Sequence, residues 1–167
     1  KVGLKNAMDR LFKEVEEKVD EGCCLIILSD KKADGNNVPI PSLLACSGVH
    51  HHLIRAQKRP NVGLILETAE AREVMHYALL FGYGAGAVNP YGVFATIDDL
   101  LKKGKFPEGM TYEKAEDNYI KAIDKGLLKV LSKMGTSTLR SYRGAQIFEA
   151  IGLGEDLVNT YFTNTET

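Results

Sequence analysis

The run Cys23-Cys24-Leu25-Ile26-Ile27-Leu28 contains no polar residue and is closed by Ser29 and Asp30. It is too short to be a helix with a buried face. Continuous rather than alternating apolar residues mark a strand covered on both sides. Such strands belong to parallel sheets, and parallel neighbours must be joined by long crossovers. The flanking sequence supplies them.

Ahead of the run, Leu4, Met8, Leu11, Val15 and Val19 recur every three or four residues and Gly22 follows, the pattern of an amphipathic helix with a glycine end. Behind it, Lys31 to Val38 holds Gly35, Asn36 and Asn37 and reads as loop; Pro41 then sits in the first turn of a helix reaching about Gln57. Pro60 and Asn61 break that helix, and Val62 to Leu66 is a second strand. Thr68 is positioned to cap a helix running to about Phe81, and Ala85 to Val88 is a third strand before Asn89 and Pro90. The expected fold is α/β: parallel strands with right-handed helical crossovers, Rossmann-like or part of a (βα) barrel. A chain of 167 residues fits one such domain.

The second half keeps the rhythm less well. Thr96 to Lys102 reads as a short helix, and Thr111 caps a long one ending at Gly135. Two neighbouring stripes on the long helix, one with Tyr119 and Gly126 and the other with Ile123 and Leu127, predict cover over a broad face. Thr136 to Leu139 is expected as a fourth strand and Gly144 to Ile151 as a helix, with 154–167 polar enough to fray.

Lys plus Arg is 21 against 22 for Asp plus Glu, a net charge of -1, so nothing draws the chain to nucleic acid or to an anionic membrane. No apolar stretch approaches the ~20 residues of a membrane span, and no signal pattern opens the chain; a cytoplasmic location is expected. Cys23 and Cys24 are adjacent, which strains a bridge between them, and with Cys46 they read as reduced, buried thiols.

Ligands of parallel α/β folds collect at the carboxyl ends of the strands. Ser29 and Asp30, Glu67 and Thr68, Asn89 and Tyr91, and Ser141, Tyr142 and Arg143 are expected there. This rim fits a cation or polar substrate, and it fits equally an ion-pair network that caps the following helices. His50, His51 and His52 are consecutive in a helix, where side chains diverge by about 100° per residue, so they do not converge on one metal ion. The helix wheel points His50 inward, sets His51 at the flank and turns His52 outward. Gly82-Tyr83-Gly84-Ala85-Gly86 has the look of a dinucleotide fingerprint in the wrong order: it closes a helix and enters a strand, the place for a left-handed cap and close packing. No nucleophile elbow or phosphate loop is present, and no self-contained catalytic set is visible.

Pro39-Ile40-Pro41-Ser42-Leu43-Leu44 and Val49-His50-His51-His52-Leu53-Ile54-Arg55 resemble the central domain of the glutamate synthase large chain. The segments 64–74, 81–91, 125–138 and 141–153 keep that family's order, so the resemblance covers about residues 20–155. Lys31 stands where the family commonly has Arg, Ala69 where it has Gly, Met75 where it has His and Thr136 where it has Ile. Losing the Arg fork puts any anion contact at Lys31 in doubt.

The resemblance implies an enzyme that makes glutamate from glutamine and 2-oxoglutarate, with FMN and an iron-sulfur cluster in the full-length family. In this segment it implies no catalytic residue, no cofactor and no metal. The implied role is a connecting domain between the amidotransferase and FMN-barrel domains of the same polypeptide, helping to enclose the ammonia path. Lys133, Met134, Tyr142, Arg143 and Gln146 combine residue types enriched at interfaces and are expected to meet a neighbouring domain. The alternatives are a stand-alone module binding a small molecule at the strand ends, and a small enzyme using Asp30, Glu67 or Arg143.

Overall fold

The computed structural model describes residues 2–167. A helix α1 (Val2–Asp20) leads into β1 (Leu25–Ser29), followed by α2 (Ser42–Arg55), a 3-10 turn (Arg59–Asn61) and β2 (Gly63–Glu67). Then come α3 (Val74–Gly82), β3 (Ala87–Asn89), α4 (Tyr91–Lys102), α5 (Tyr112–Lys133), the single turn α6 (Leu139–Tyr142) and α7 (Glu155–Tyr161). The strands form one parallel sheet in the order β1-β2-β3, with Ile27 opposite Ile65 and Ile65 opposite Ala87. An α/β fold is what the alternation of apolar runs and helical stripes requires. The sheet is open, with β1 and β3 at its edges.

Ile26, Leu28, Leu64, Leu66 and Val88 face the crossover helices; Leu64 and Leu66 are almost fully buried. Leu25 and Ile27, in contrast, are each 62% exposed. The expectation of a strand covered on both faces is therefore corrected, because α2 and α3 lie over one face only and no other described element covers the second. Cys23 and Cys24 are exposed as well, and only Cys46 is buried.

α2 is the centre of the core, buried at Ser42, from Leu44 through His50 and again at Leu53. It lies on the sheet, with α1 packed against it through Met8, Phe12 and Val15 and with α7 on another flank. A helix enclosed along its middle turns needs small residues where neighbours approach, which explains Ala45, Cys46, Ser47 and Gly48 in succession.

Several expected boundaries move. Thr68 does not cap α3; its hydroxyl donates to Asp30 at 2.6 Å, and α3 begins at Val74 with Glu73 and His76 forming a reciprocal capping box. α4 starts at Tyr91, directly after Pro90. α5 begins as expected, with Thr111 Oγ1 accepting from the Lys114 amide, yet only Ala115 is fully buried. Its broad cover reduces to strips on α3, where Tyr77 and Tyr119 hydroxyls pair at 2.6 Å, and on α4, where Phe94 meets the Tyr119 ring edge-on; Ile120, Leu128 and Met134 are exposed.

The expected fourth strand at 136–139 is absent, replaced by α6 under a Thr138 cap, and Gly144 to Ile151 is irregular rather than helical, with Gly144 and Gln146 at positive φ and Glu149 in an isolated bridge to Glu166. Both segments are too short and too rich in polar and flexible residues for periodicity to decide. The segment expected to fray instead forms α7 and returns to the core. Val158 and Phe162 are buried, the Ala150 amide donates to Glu166 at 2.7 Å, and Ser47 Oγ donates to the Tyr161 carbonyl at 2.5 Å.

Candidate functional site

The expected rim divides between the two ends of the sheet. At the carboxyl ends, Ser29, Asp30, Glu67, Asn89 and Tyr91 do come together, since parallel register places strand ends side by side. Asp30 accepts from Thr68 at 2.6 Å, from Tyr91 at 2.5 Å and from the Ala69 amide at 3.1 Å. Glu67 accepts from Ser29 and Lys31 at 2.7 Å each and from Asn89 at 3.3 Å. These donors hold the Glu67 carboxyl below its usual range, the Lys31 bond contributing most, while the hydrogen bond to Asp30 pushes the Tyr91 phenol up to about 12. Both carboxylates thus take three donors each from within the chain.

Tyr142, Arg143 and Gln146 do not join this rim. With no strand preceding them, they stand at and just after the end of α6 and lie against the segment 82–84, which leads into the amino end of β3; the Gly144 amide donates to the Gly82 carbonyl at 2.8 Å. Lys133 and Met134 stay exposed at the end of α5.

At this amino end a cavity of about 240 Å³ is lined by His50, Tyr83, Tyr142, Gln146, Phe148 and Asn164, among others. α2 presents His50 to it. Arg59, which sequence reasoning overlooked, reaches the same place from the turn before β2: its Nε donates to His50 Nδ1 at 2.9 Å, and its two Nη groups donate to the carbonyls of Val62 and Gly84. Only its position next to the Pro60-Asn61 break hinted at such a role, since an Arg beside a tight turn is close to free carbonyls.

Gly84 has a φ of +117°, and a Cβ there would run into the His50 ring. The glycine cluster thus serves close approach and a left-handed backbone. Gly86 carries a milder constraint, with its would-be Cβ 3.3 Å from the Leu64 carbonyl oxygen.

The three histidines part company as the helix geometry requires. His50 is 9% exposed and His51 meets it edge-on at 5.1 Å between ring centroids. His52 departs from its expected outward position: it stacks on Phe12 at 4.7 Å and sits 3.0 Å from Glu16, because α1 occupies that side. Among the described residues no three His, Cys, Asp or Glu side chains converge.

Burial, with Arg59, His51 and Arg143 nearby, lowers the His50 pKa from 6.5 to about 3. The unfolded chain takes up this proton well before the folded one does. Stability should therefore fall as pH drops through 6.5 toward 3, the window in which the unfolded state binds more protons. His50→Gln keeps an acceptor for Arg59 and removes the titrating ring. Thermal midpoints across that window should fall less steeply for the variant, and an identical slope would show that His50 is not the group responsible.

The chain matches the model of the glutamate synthase central domain family over residues 1–154. It is 47% identical over 162 residues to the glutamate synthase [NADPH] large chain of Bacillus subtilis, covering 97% of this chain and 10% of that one. The glutamate synthase [NADH] of Saccharomyces cerevisiae is 44% identical over 99% of this chain and 8% of its own. The ferredoxin-dependent glutamate synthase 1 of Arabidopsis thaliana is 40% identical over 97% of this chain and 11% of its own. The chain thus spans about a tenth of the length of these relatives. On the family match and these identities, it belongs to the glutamate synthase central domain family.

Proposed function

We propose that this chain is the connecting part of a glutamate synthase, holding an amidotransferase domain and an FMN-barrel domain of the same polypeptide in place and helping to enclose the ammonia path. The open sheet face carries this reading. Parallel sheets are ordinarily covered on both sides, yet here Leu25 and Ile27 stand 62% exposed beside half-buried Ile65. Such a surface is an internal contact of a larger assembly.

The residues do not fit a flavin or an iron-sulfur cluster of their own. Cys23 and Cys24 lie exposed ahead of β1 while Cys46 is buried in α2, its thiol pushed up to about 12 by desolvation, so the thiols do not face one centre. The 82–86 glycines precede a strand, and the His50 ring occupies the space over Gly84. No catalytic step is assigned to this segment. The stand-alone binding module has less support, because Asp30 and Glu67, the acceptors it relies on, already take three donors each from within the chain.

Ile27→Asp in the whole polypeptide tests the proposal. A carboxylate forced into a dry junction costs several kcal/mol unless paired, so the junction should loosen. Glutamine hydrolysis and flavin content should persist, while glutamate formed per glutamine hydrolysed falls and free ammonia appears. An unchanged ratio with normal flavin content would overturn the connecting role of this face.

A further inference from the structure

β1 is an edge strand whose outer backbone groups have no partner. The Cys24 carbonyl accepts from the Gly63 amide at 2.9 Å and the Asp30 amide donates to the Glu67 carbonyl at 3.2 Å, so the even-numbered backbone groups of this strand face β2. The N–H and C=O groups of Leu25, Ile27 and Ser29 point the other way, and among the described residues no backbone group pairs with them. Proteins ordinarily guard such an edge with a charge, a proline, a bulge or a very short strand. The opposite edge is guarded in this way, since β3 has only three residues and stops at Pro90. β1 has five residues, Leu-Ile-Ile-Leu-Ser, in unbroken register with β2 and with no charge or proline among them. Left bare, it is a template for another strand.

The helices indicate where that strand comes from. β1 passes to β2 through α2, and β2 to β3 through α3, each step moving one place along the sheet. α1 enters β1 in the same manner. It packs on α2, where Gly48 leaves room for Met8 and Phe12, and so lies on the same side of the sheet as the other crossover helices. Right-handed crossovers over one face carry successive strands in a single direction. A strand feeding α1 therefore falls beside β1 on the side away from β2, which is the free edge. Leu4 continues the core-facing stripe of Met8, Leu11 and Val15 yet is 41% exposed, so α1 offers apolar surface beyond what this chain covers. This chain spans about a tenth of its relatives, and the remainder of such a polypeptide can supply the strand.

We infer that the residues preceding α1 in the same polypeptide form a fourth parallel strand on the β1 edge, an apolar segment of about five residues that pairs with the outer backbone groups of Leu25, Ile27 and Ser29. The inference uses the edge of the sheet and the hand of its crossovers, and it does not depend on the connecting role proposed for the open face.

Amide hydrogen exchange at single-residue resolution tests it on the 167-residue chain, on the same chain extended by the residues that precede it in its polypeptide, and on the complete polypeptide. An extension of about 15 residues provides one strand and its turn into α1. In the 167-residue chain the amides of Ile26 and Leu28, which face β2, should exchange slowly and those of Leu25 and Ile27 quickly. In both longer forms the Leu25 and Ile27 amides should slow about tenfold or more. The extended chain carries no other domain, so a neighbour resting on the open face does not produce that change.

Ile27→Pro removes an outward amide and none that β2 uses, a substitution that edge strands tolerate. The extended chain should melt at least about 4 °C above the 167-residue chain. Ile27→Pro should cancel most of that rise while moving the midpoint of the unextended chain little. Equally fast exchange of the Leu25 and Ile27 amides with and without the extension would overturn the proposal. Slowing confined to the complete polypeptide would name another domain as the cover of β1, and slowing that grows with protein concentration in every form would name a second copy; either result overturns the added strand. An Ile27→Asp polypeptide with unchanged glutamate yield, by contrast, counts against the connecting role alone.

Discussion

Replacing Gly84 by valine should lower the stability of the chain by about 3 kcal/mol. Two independent costs combine. A residue with a Cβ held at a φ of +117° gives up about 1–2 kcal/mol of backbone energy. The added atoms also meet the His50 ring, and overfilling a packed interior costs about 1–3 kcal/mol more. His50 has no room to retreat, because Arg59 grips Nδ1 at 2.9 Å and also holds the Gly84 carbonyl at 2.8 Å. At roughly 2–4 °C per kcal/mol for a chain of this size, the thermal midpoint should drop by about 6–12 °C. Gly86→Ala, at a position without positive φ, should change it by less than about 1 kcal/mol. Equal midpoints for Gly84→Val and the parent chain would remove the close-approach account.

The second large effect concerns the carboxyl-terminal helix. A chain ending at Gly154, where the match to the family model also stops, should lose about 3–6 kcal/mol of stability. The loss comes from Val158 and Phe162, which are 1% and 7% exposed, at about 1.5–3 kcal/mol for each buried side chain. Removing α7 also uncovers Ser47, whose hydroxyl then has no carbonyl partner, and strips Phe162 from the Tyr83 ring it meets edge-on at 5.2 Å. Since whole domains are stable by only 5–15 kcal/mol, the shortened chain should show a broadened, earlier thermal transition and bind dyes that report exposed apolar surface. A transition as sharp and as high as that of the 167-residue chain would show that α7 merely rests on the core.

The first ninety residues were largely legible because each element there states its period plainly. The stripe through Met8 and Val15, the apolar runs around Ile27 and Leu64, and the breaks at Pro60 and Pro90 leave little choice of register. What no window reveals is which partner covers a face. Leu25 and Ile27 look like buried strand residues because in a sheet covered on both sides they would be, and nothing in the local sequence says which face the crossover helices leave open.

The same limit governs the site. Asp30 and Glu67 were found from strand ends, which parallel topology brings together. Arg59 and His50 meet near the opposite end, one from a turn and one from a helix, a pairing that depends on tertiary contacts. The α7 helix was hidden differently: in Glu155 to Tyr161 only Leu157, Val158 and Tyr161 are apolar, too brief a pattern to signal docking.

The docking of α7 on α2 sets a timetable for the chain as it is made. Ser47 and the Tyr161 carbonyl it bonds are 114 residues apart, whereas the strands pair in the order of their synthesis. At about 5–20 residues per second, on the order of ten seconds pass between the emergence of α2 and that of its last cover. During that interval β1, β2 and the helices over them can assemble from the ribosome outward, with one flank of α2 still wet. Until Phe162 arrives, the Ser47 side of α2 is therefore the last part of the core to be shielded from water on the nascent chain.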